Sequence, residues 1–150
     1  SVSRGLGDVY KRQGYNNYLN KELVPVHSLK SVIAQIINCN KGESVGYNRS
    51  FFCENDMKVG VIPIGHADGI SRLFSKNAHV CIGGKKAAGW GTICMDVLMI
   101  NLNGINCDEG DEVVVFDSKN NAEDFAKSVG TISYEILTNL SSRIERKIIR

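Results

Sequence analysis

Long hydrophobic runs are missing from this 150-residue sequence. No stretch approaches the ~18 consecutive apolar residues of a membrane-spanning helix, and the start lacks the charged-then-apolar pattern of a secretory signal. An excess of one charge sign is missing too. Eighteen Lys and Arg against sixteen Asp and Glu leave a formal charge of +2, without the clustered basic face that binds nucleic-acid phosphates. The nearest thing to such a cluster is Arg143-Ile-Glu-Arg-Lys-Ile-Ile-Arg150, whose alternation suits an amphipathic edge strand. Paired cysteines are absent: Cys39, Cys53, Cys81, Cys94 and Cys107 are odd in number, widely spaced and never in a C-x-x-C pair. Reduced thiols in a cytoplasmic protein fit that pattern better than a disulfide frame. His27, His66 and His79 are too scattered for zinc-site spacing. There is no internal repeat and no low-complexity segment.

What remains is one domain, large enough to bury roughly two-thirds of its unfolded surface. Ser1 to Gln13 shows no clean period, and residues 1–22 are set aside as a leader or fragment edge, with the domain proper at 23–150. Val26 to Asn38 is a long β-branched and aliphatic run that predicts one long strand buried partly on both faces. A turn at Lys41-Gly-Glu43 leads to a second strand, Val45 to Cys53, carrying Tyr47. Val59 to Ile64 is a third, stopped by Gly65, and Gly69 to Phe74 predicts a short helical turn. Gly83-Gly84 between Val80-Cys-Ile82 and Lys86-Ala87 is a hairpin signal, because glycine accepts the positive φ such turns need. Ile93 to Asn101, Val113 to Phe116 and Ile144 to Ile149 complete the strands. Asn121 to Ser128 has a capping residue, early acids and a late lysine, the signature of a helix. Ser133 to Leu140 predicts a second, with Ser133 as its cap and Ile136, Leu137 and Leu140 on one face. About eight strands with two short late helices imply a mainly β, barrel-like domain.

Three segments stand out for chemistry: Gly42-Glu-Ser-Val-Gly-Tyr-Asn-Arg49, Gly91-Thr-Ile-Cys-Met-Asp96 and Gly130-Thr-Ile-Ser-Tyr-Glu135. Taken alone, each has a bland reading. A tyrosine in a strand is usually a half-buried packing residue, Met95-Asp96 a core residue followed by a turn acid, and Tyr134 an aromatic anchor between helix and sheet. A phenol ordinarily loses its proton near pH ~10, so one acting as a base near neutrality needs positive charge beside it. Arg49 is not counted on to supply that charge to Tyr47.

In this order and at these spacings, the three segments resemble the C-terminal domain of the alanine racemases, enzymes that use pyridoxal 5'-phosphate (PLP). The resemblance runs from about Leu23 to Ile149. It implies that Tyr47 is one of two opposed catalytic bases, supported by a histidine and an arginine of the partner subunit's barrel. It implies that the Met95 backbone N–H holds the substrate carboxylate, that Asp96 lines the pocket and that Tyr134 bonds the PLP phosphate. A backbone donor at Met95 makes chemical sense, since fixing the carboxylate sets which Cα–H bond stands perpendicular to the cofactor plane. A helix start also suits an anion near Tyr134.

Ile64-Gly-His-Ala-Asp-Gly69 resembles the family's G-Y-A-D-G turn, which places His66 in the access corridor with Ile132 and Thr92. Asp68 would shape the turn by accepting backbone hydrogen bonds. Thr92 stands where many relatives have arginine, so the corridor rim is less cationic. Ala87-Ala-Gly-Trp90 replaces a stretch with proline and aliphatics, which implies looser packing there.

The second base, a lysine that also links to the cofactor aldehyde, belongs in these enzymes to an N-terminal (β/α)₈ barrel. No lysine of this chain lies in a comparable setting. The resemblance therefore implies one half of a homodimeric racemase, alone or fused behind a Mur-type ligase, that interconverts L- and D-alanine for peptidoglycan. No metal, nucleic-acid or membrane partner is expected. Two other readings stay open: a racemase domain for serine or lysine, and a non-catalytic β-barrel binding module.

Overall fold

The alternation of apolar and polar side chains from Leu29 onward builds a sheet that carries the rest of the domain. A computed structural model describes residues 25–74 and 78–149. Among them the strands are β1 (Leu29–Val32), β2 (Gln35–Cys39), β3 (Ser44–Val45), β4 (Phe51–Phe52), β5 (Met57–Ile62), β6 (His79–Ile82), β7 (Lys85–Trp90), β8 (Leu98–Asn101) and β9 (Glu112–Phe116). Seven form one sheet in the order β1-β9-β6-β7-β8-β5-β2, while β3 and β4 pair separately. Neighbours are antiparallel throughout.

The two edge strands of that sheet, β1 and β2, are consecutive in the chain. One segment therefore pairs with β9 through its first half and with β5 through its second. At the switch, Ile33 N–H donates to Asp111 C=O at 3.0 Å and Ala34 N–H to Val61 C=O at 2.9 Å. The sheet thus curls back on itself, and the edges that would invite aggregation are occupied by one bent strand. The single strand expected over Val26 to Asn38 is broken at this point, because one straight strand cannot serve both edges.

Period-2 burial follows from the curl. Val80 and Ile82 on β6 and Leu98 and Ile100 on β8 point inward and are almost fully buried. Phe74, Phe116, Ile33, Ile62 and Ile70 fill the same core. Gly89 on β7 is required by it: a Cβ there would lie 2.5 Å from the Phe74 ring, so the stretch is tight where the sequence suggested looseness.

Two helices cover one end, α1 (Ala122–Ser128) and α2 (Ser133–Asn139). The Asn121 side chain caps α1, accepting from the N–H of Glu123 and Asp124 at 3.0 Å each; such a cap stabilises by ~1 kcal/mol. Phe125 of α1 packs its ring 5.9 Å from Phe74 and 6.0 Å from Phe116.

Other expectations need correction. Ser133 does not cap α2: Ile132 occupies that position without a side-chain bond, and Ser133 is buried. The helical turn expected over Gly69 to Phe74 is present at its end, where Phe74 N–H donates to Ser71 C=O at 3.0 Å, and a 3-10 turn over His66–Asp68, not expected, precedes it. Ile144 to Ile149 is no strand, since the curled sheet leaves it no edge to pair with. The leader expected over residues 1–22 lies outside the described residues. No helix among the described residues is long and apolar enough to cross a membrane.

Candidate functional site

Tyr47 is not on a strand. The chain makes two residues of β3, turns at Gly46 with φ 88°, and runs through a 3-10 turn, Tyr47–Arg49, before β4. Asn48 and Arg49 both have positive φ, 58° and 53°, a conformation costing roughly 1–2 kcal/mol for a residue with a side chain. This tight turn projects Tyr47 outward, where it is 70% exposed. A small second core of Cys39, Val45, Cys53, Met57 and Val59, with Phe51 and Trp90 against it, anchors the turn from beneath. The Phe51 and Trp90 rings meet edge to face at 4.6 Å. Arg49 is directed away from the phenol: its Nε donates to Ser44 Oγ at 3.1 Å and its guanidinium lies over the Phe52 ring at 5.8 Å.

The Tyr47 turn leans on the second segment. Thr92 N–H donates to Ser50 Oγ at 3.1 Å, and a Cβ on Gly46 would stand 3.5 Å from Gly91 Cα. The second segment then leans on the His66 turn. His66 N–H donates to Cys94 C=O at 3.0 Å and Ala67 N–H to Met95 C=O at 2.8 Å. The two turns touch so closely that a Cβ on Gly65 would lie 2.5 Å from the Met95 carbonyl oxygen and 2.7 Å from Asp96 N.

With those carbonyls occupied, the amide N–H groups of Met95 and Asp96 find no acceptor among the described residues. Met95 is 57% exposed. Amide N–H groups without an internal acceptor on an exposed turn are suited to holding a small carboxylate.

His66 is exposed, and its Nδ1 lies 3.1 Å from the Ile70 carbonyl. A carbonyl only accepts, so Nδ1 carries the proton of that bond and the neutral ring presents Nε2 as acceptor. His66, Arg72 and Leu73 face Thr131, Glu135 and Asn139 across a cleft of about 520 Å³. This joins the His66 turn to the third segment. There Ile132 is 44% exposed, whereas Tyr134 is half-buried with its hydroxyl oxygen shielded from solvent. Tyr47, His66, Met95, Asp96 and Ile132 are therefore all exposed, whereas Tyr134 is half-buried.

One participant escaped the sequence reading. Arg143, in the irregular segment after α2, donates from Nε to Asp68 Oδ1 at 2.6 Å and pairs through its second nitrogen with Asp96 Oδ1 at 2.7 Å. Asp68 also accepts from Gly65 N–H at 2.8 Å, through its other oxygen. The only sequence signal was an arginine in a run read as an edge strand.

The bond from Arg143 holds the buried Asp68 carboxyl below the usual carboxylate range, aided by the Gly65 N–H and opposed by burial. Because the folded-state pKa is lowered, the stability contributed by Asp68 is complete above about pH 4, the unfolded value. It is lost as pH falls through the folded value. Thermal melts at descending pH are expected to show this loss, and Asp68→Asn should be less stable at neutral pH with a flatter acid profile. An equally steep acid profile in that variant would assign the pH dependence to other carboxylates.

The described residues contain no cluster of three or more His, Cys, Asp or Glu placed to hold a metal ion. Five of the described lysines have partners elsewhere in the domain. Lys30 pairs with Glu112, Lys127 with Glu123 and Lys147 with Glu145, while Lys58 and Lys85 donate to the carbonyls of Cys107 and Gly104.

Comparison with known proteins agrees with this geometry. The family model described as "Alanine racemase, C-terminal domain" matches residues 26–148. An alanine racemase of Helicobacter pylori is 38% identical over 144 residues, covering 93% of this chain and 38% of the relative. The biosynthetic alanine racemase of Pseudomonas aeruginosa superposes with a TM-score of 0.80 at 28% identity, over 86% of this chain and 36% of that one. The Bartonella henselae alanine racemase with covalently bound pyridoxal phosphate gives 0.77 at 29% identity, over 81% and 34%. This chain spans little more than a third of the length of such relatives. It belongs to the alanine racemase C-terminal domain family.

Proposed function

We propose that this chain is the part of a PLP-dependent alanine racemase that supplies a proton-transferring tyrosine to the active site of a partner subunit. The observation that carries the reading is that the exposed Tyr47 turn is braced, through Gly46, Gly91 and Thr92, against the segment whose Met95 and Asp96 amides have no acceptor among the described residues. When bound, PLP delocalises the charge left at the substrate Cα. The residues of this chain do the rest on their side. The Met95 N–H binds the alanine carboxylate and orients Cα, the Tyr47 hydroxyl moves a proton at one face of Cα, and Asp96 lines the pocket. Tyr134 contributes its hydroxyl to the PLP phosphate, which requires its ring to turn outward from the position described above. His66, Ile132 and Thr92 line the corridor.

A barrel domain brings the lysine that acts on the other face, and a homodimer places the two halves together. Exposed Tyr47, Phe52, Leu73, Met95 and Ile132 offer the apolar area that such an interface covers. The product, D-alanine, would serve peptidoglycan synthesis in the cytoplasm. Serine or lysine as substrate would be decided by barrel residues.

Two measurements test this. The isolated chain is expected neither to retain PLP covalently nor to racemise alanine; a PLP absorbance that survives dialysis, with a labelled lysine after borohydride, would contradict it. Mixed with a PLP barrel domain deleted of its own tyrosine-bearing half, the chain should restore alanine racemisation. Stable association without activity would favour the binding-module reading.

A further inference from the structure

We infer that Arg143 is a positioning residue for the substrate carboxylate, acting through Asp96 on the adjacent Met95 amide; this deepens, and rests on, the proposed racemase reading. Three contacts set the Met95-Asp96 turn over the His66 turn. The missing side chain of Gly65 allows the backbones to meet. The N–H groups of His66 and Ala67 hold the carbonyls of Cys94 and Met95. Arg143 is the third, and it alone grips a side chain of the turn.

The fork of Arg143 spans two carboxylates that differ in surroundings. Asp68 is buried, its side chain only 7% exposed, and both of its oxygens are used, one by Gly65 N–H and one by Arg143 Nε. Asp96 is 68% exposed. Asp68 therefore fixes the guanidinium in place, and the guanidinium in turn fixes Asp96. Without it, Asp96 would be a mobile anion next to the amide that receives another anion, and like charges that close repel. Arg143 both neutralises Asp96 and holds it aside. A planar guanidinium can bond two carboxylates at once, whereas an ammonium is a single point charge.

That contrast defines the test, in the full-length PLP-loaded protein. Arg143→Lys keeps a cation for the buried Asp68 and gives up the span to Asp96. It is expected to raise KM for alanine about tenfold, the effect of losing one charge-assisted bond, with kcat changed less than about threefold. On an Asp96→Asn background the same substitution should raise KM less than about twofold, because its target is already uncharged. Hydrogen exchange of the Cys94–Val97 peptide should accelerate in Arg143→Lys while the α1 peptide is unchanged, a readout that needs no turnover.

An unchanged KM, a fall confined to kcat and melting temperature, full additivity with Asp96→Asn, or unaltered exchange of Cys94–Val97 would each overturn the proposal. The racemase reading is judged separately by Tyr47 in the same protein. Asymmetric loss of Cα exchange in Tyr47→Phe leaves that reading standing whatever Arg143 does.

Discussion

Tyr47→Phe in the full-length protein is expected, on the proposed racemase reading, to slow Cα-deuterium exchange from one enantiomer of alanine by ~10²–10⁴-fold, the usual loss for a positioned base, and to spare the other. That asymmetry is what the proposed reading requires, with a different group serving each face of Cα. Phenylalanine keeps the ring and the shape of the turn and removes only the hydroxyl. Since Tyr47 is largely exposed in this chain, its hydroxyl is not committed to the core, and the substitution should leave folding intact. Exchange is to be measured from L- and D-alanine separately. Equal losses from both would mean that Tyr47 packs or closes the site without moving a proton. The result also separates a racemase half from a binding module, for which the hydroxyl would have no kinetic role.

Gly65→Ala should be the most damaging single-methyl change on the rim. Gly65 has φ −148°, extended backbone that alanine adopts freely, so conformational strain is not the cause. The new Cβ would sit 2.5 Å from the Met95 carbonyl oxygen, 2.6 Å from its carbon and 2.7 Å from Asp96 N. These are backbone atoms, and no rotamer change relieves the clash. The Met95-Asp96 turn must lift, straining the bonds from His66 and Ala67. Overpacking of this kind costs about 1–3 kcal/mol, which for a domain of this size lowers the melting temperature by several degrees, roughly 2–8 °C. In the full-length enzyme KM for alanine should rise as the Met95 amide is displaced. Gly84→Ala is a useful contrast, because no atom lies within 4 Å of a Cβ there and only its positive φ opposes the change. A Gly65→Ala protein with unaltered KM would mean that the height of this turn does not govern carboxylate binding.

Part of this arrangement was legible from residue order alone. The β6–β7 hairpin follows from Gly83-Gly84, whose φ values of 54° and 80° few other residues adopt. Helix α1 follows from Asn121 and the charges behind it. Periodicity sufficed there because the determinants lie within a few residues of one another. It failed where a distant partner decides. Val26 to Asn38 has the composition of one strand, and only the two sheet edges it must serve bend it at Ile33-Ala34. Tyr47 lies in a run with strand composition, yet packing of Phe51 on Trp90 and of Gly46 on Gly91 forces a 3-10 turn that turns the phenol outward. Ile144 to Ile149 alternates like a strand and finds no open edge.

The sequence by itself determined the family, the mainly β architecture and the residue types available for chemistry, because motif order and hydrophobic period are properties of the chain read along its length. Tertiary structure alone decided what those residues can do together. It left the Met95 and Asp96 amides without an acceptor among the described residues, half-buried Tyr134, and brought Arg143 onto Asp68 and Asp96. Such contacts join positions far apart in sequence, and their geometry is set by how closely two backbones can approach at a glycine, which no local pattern records.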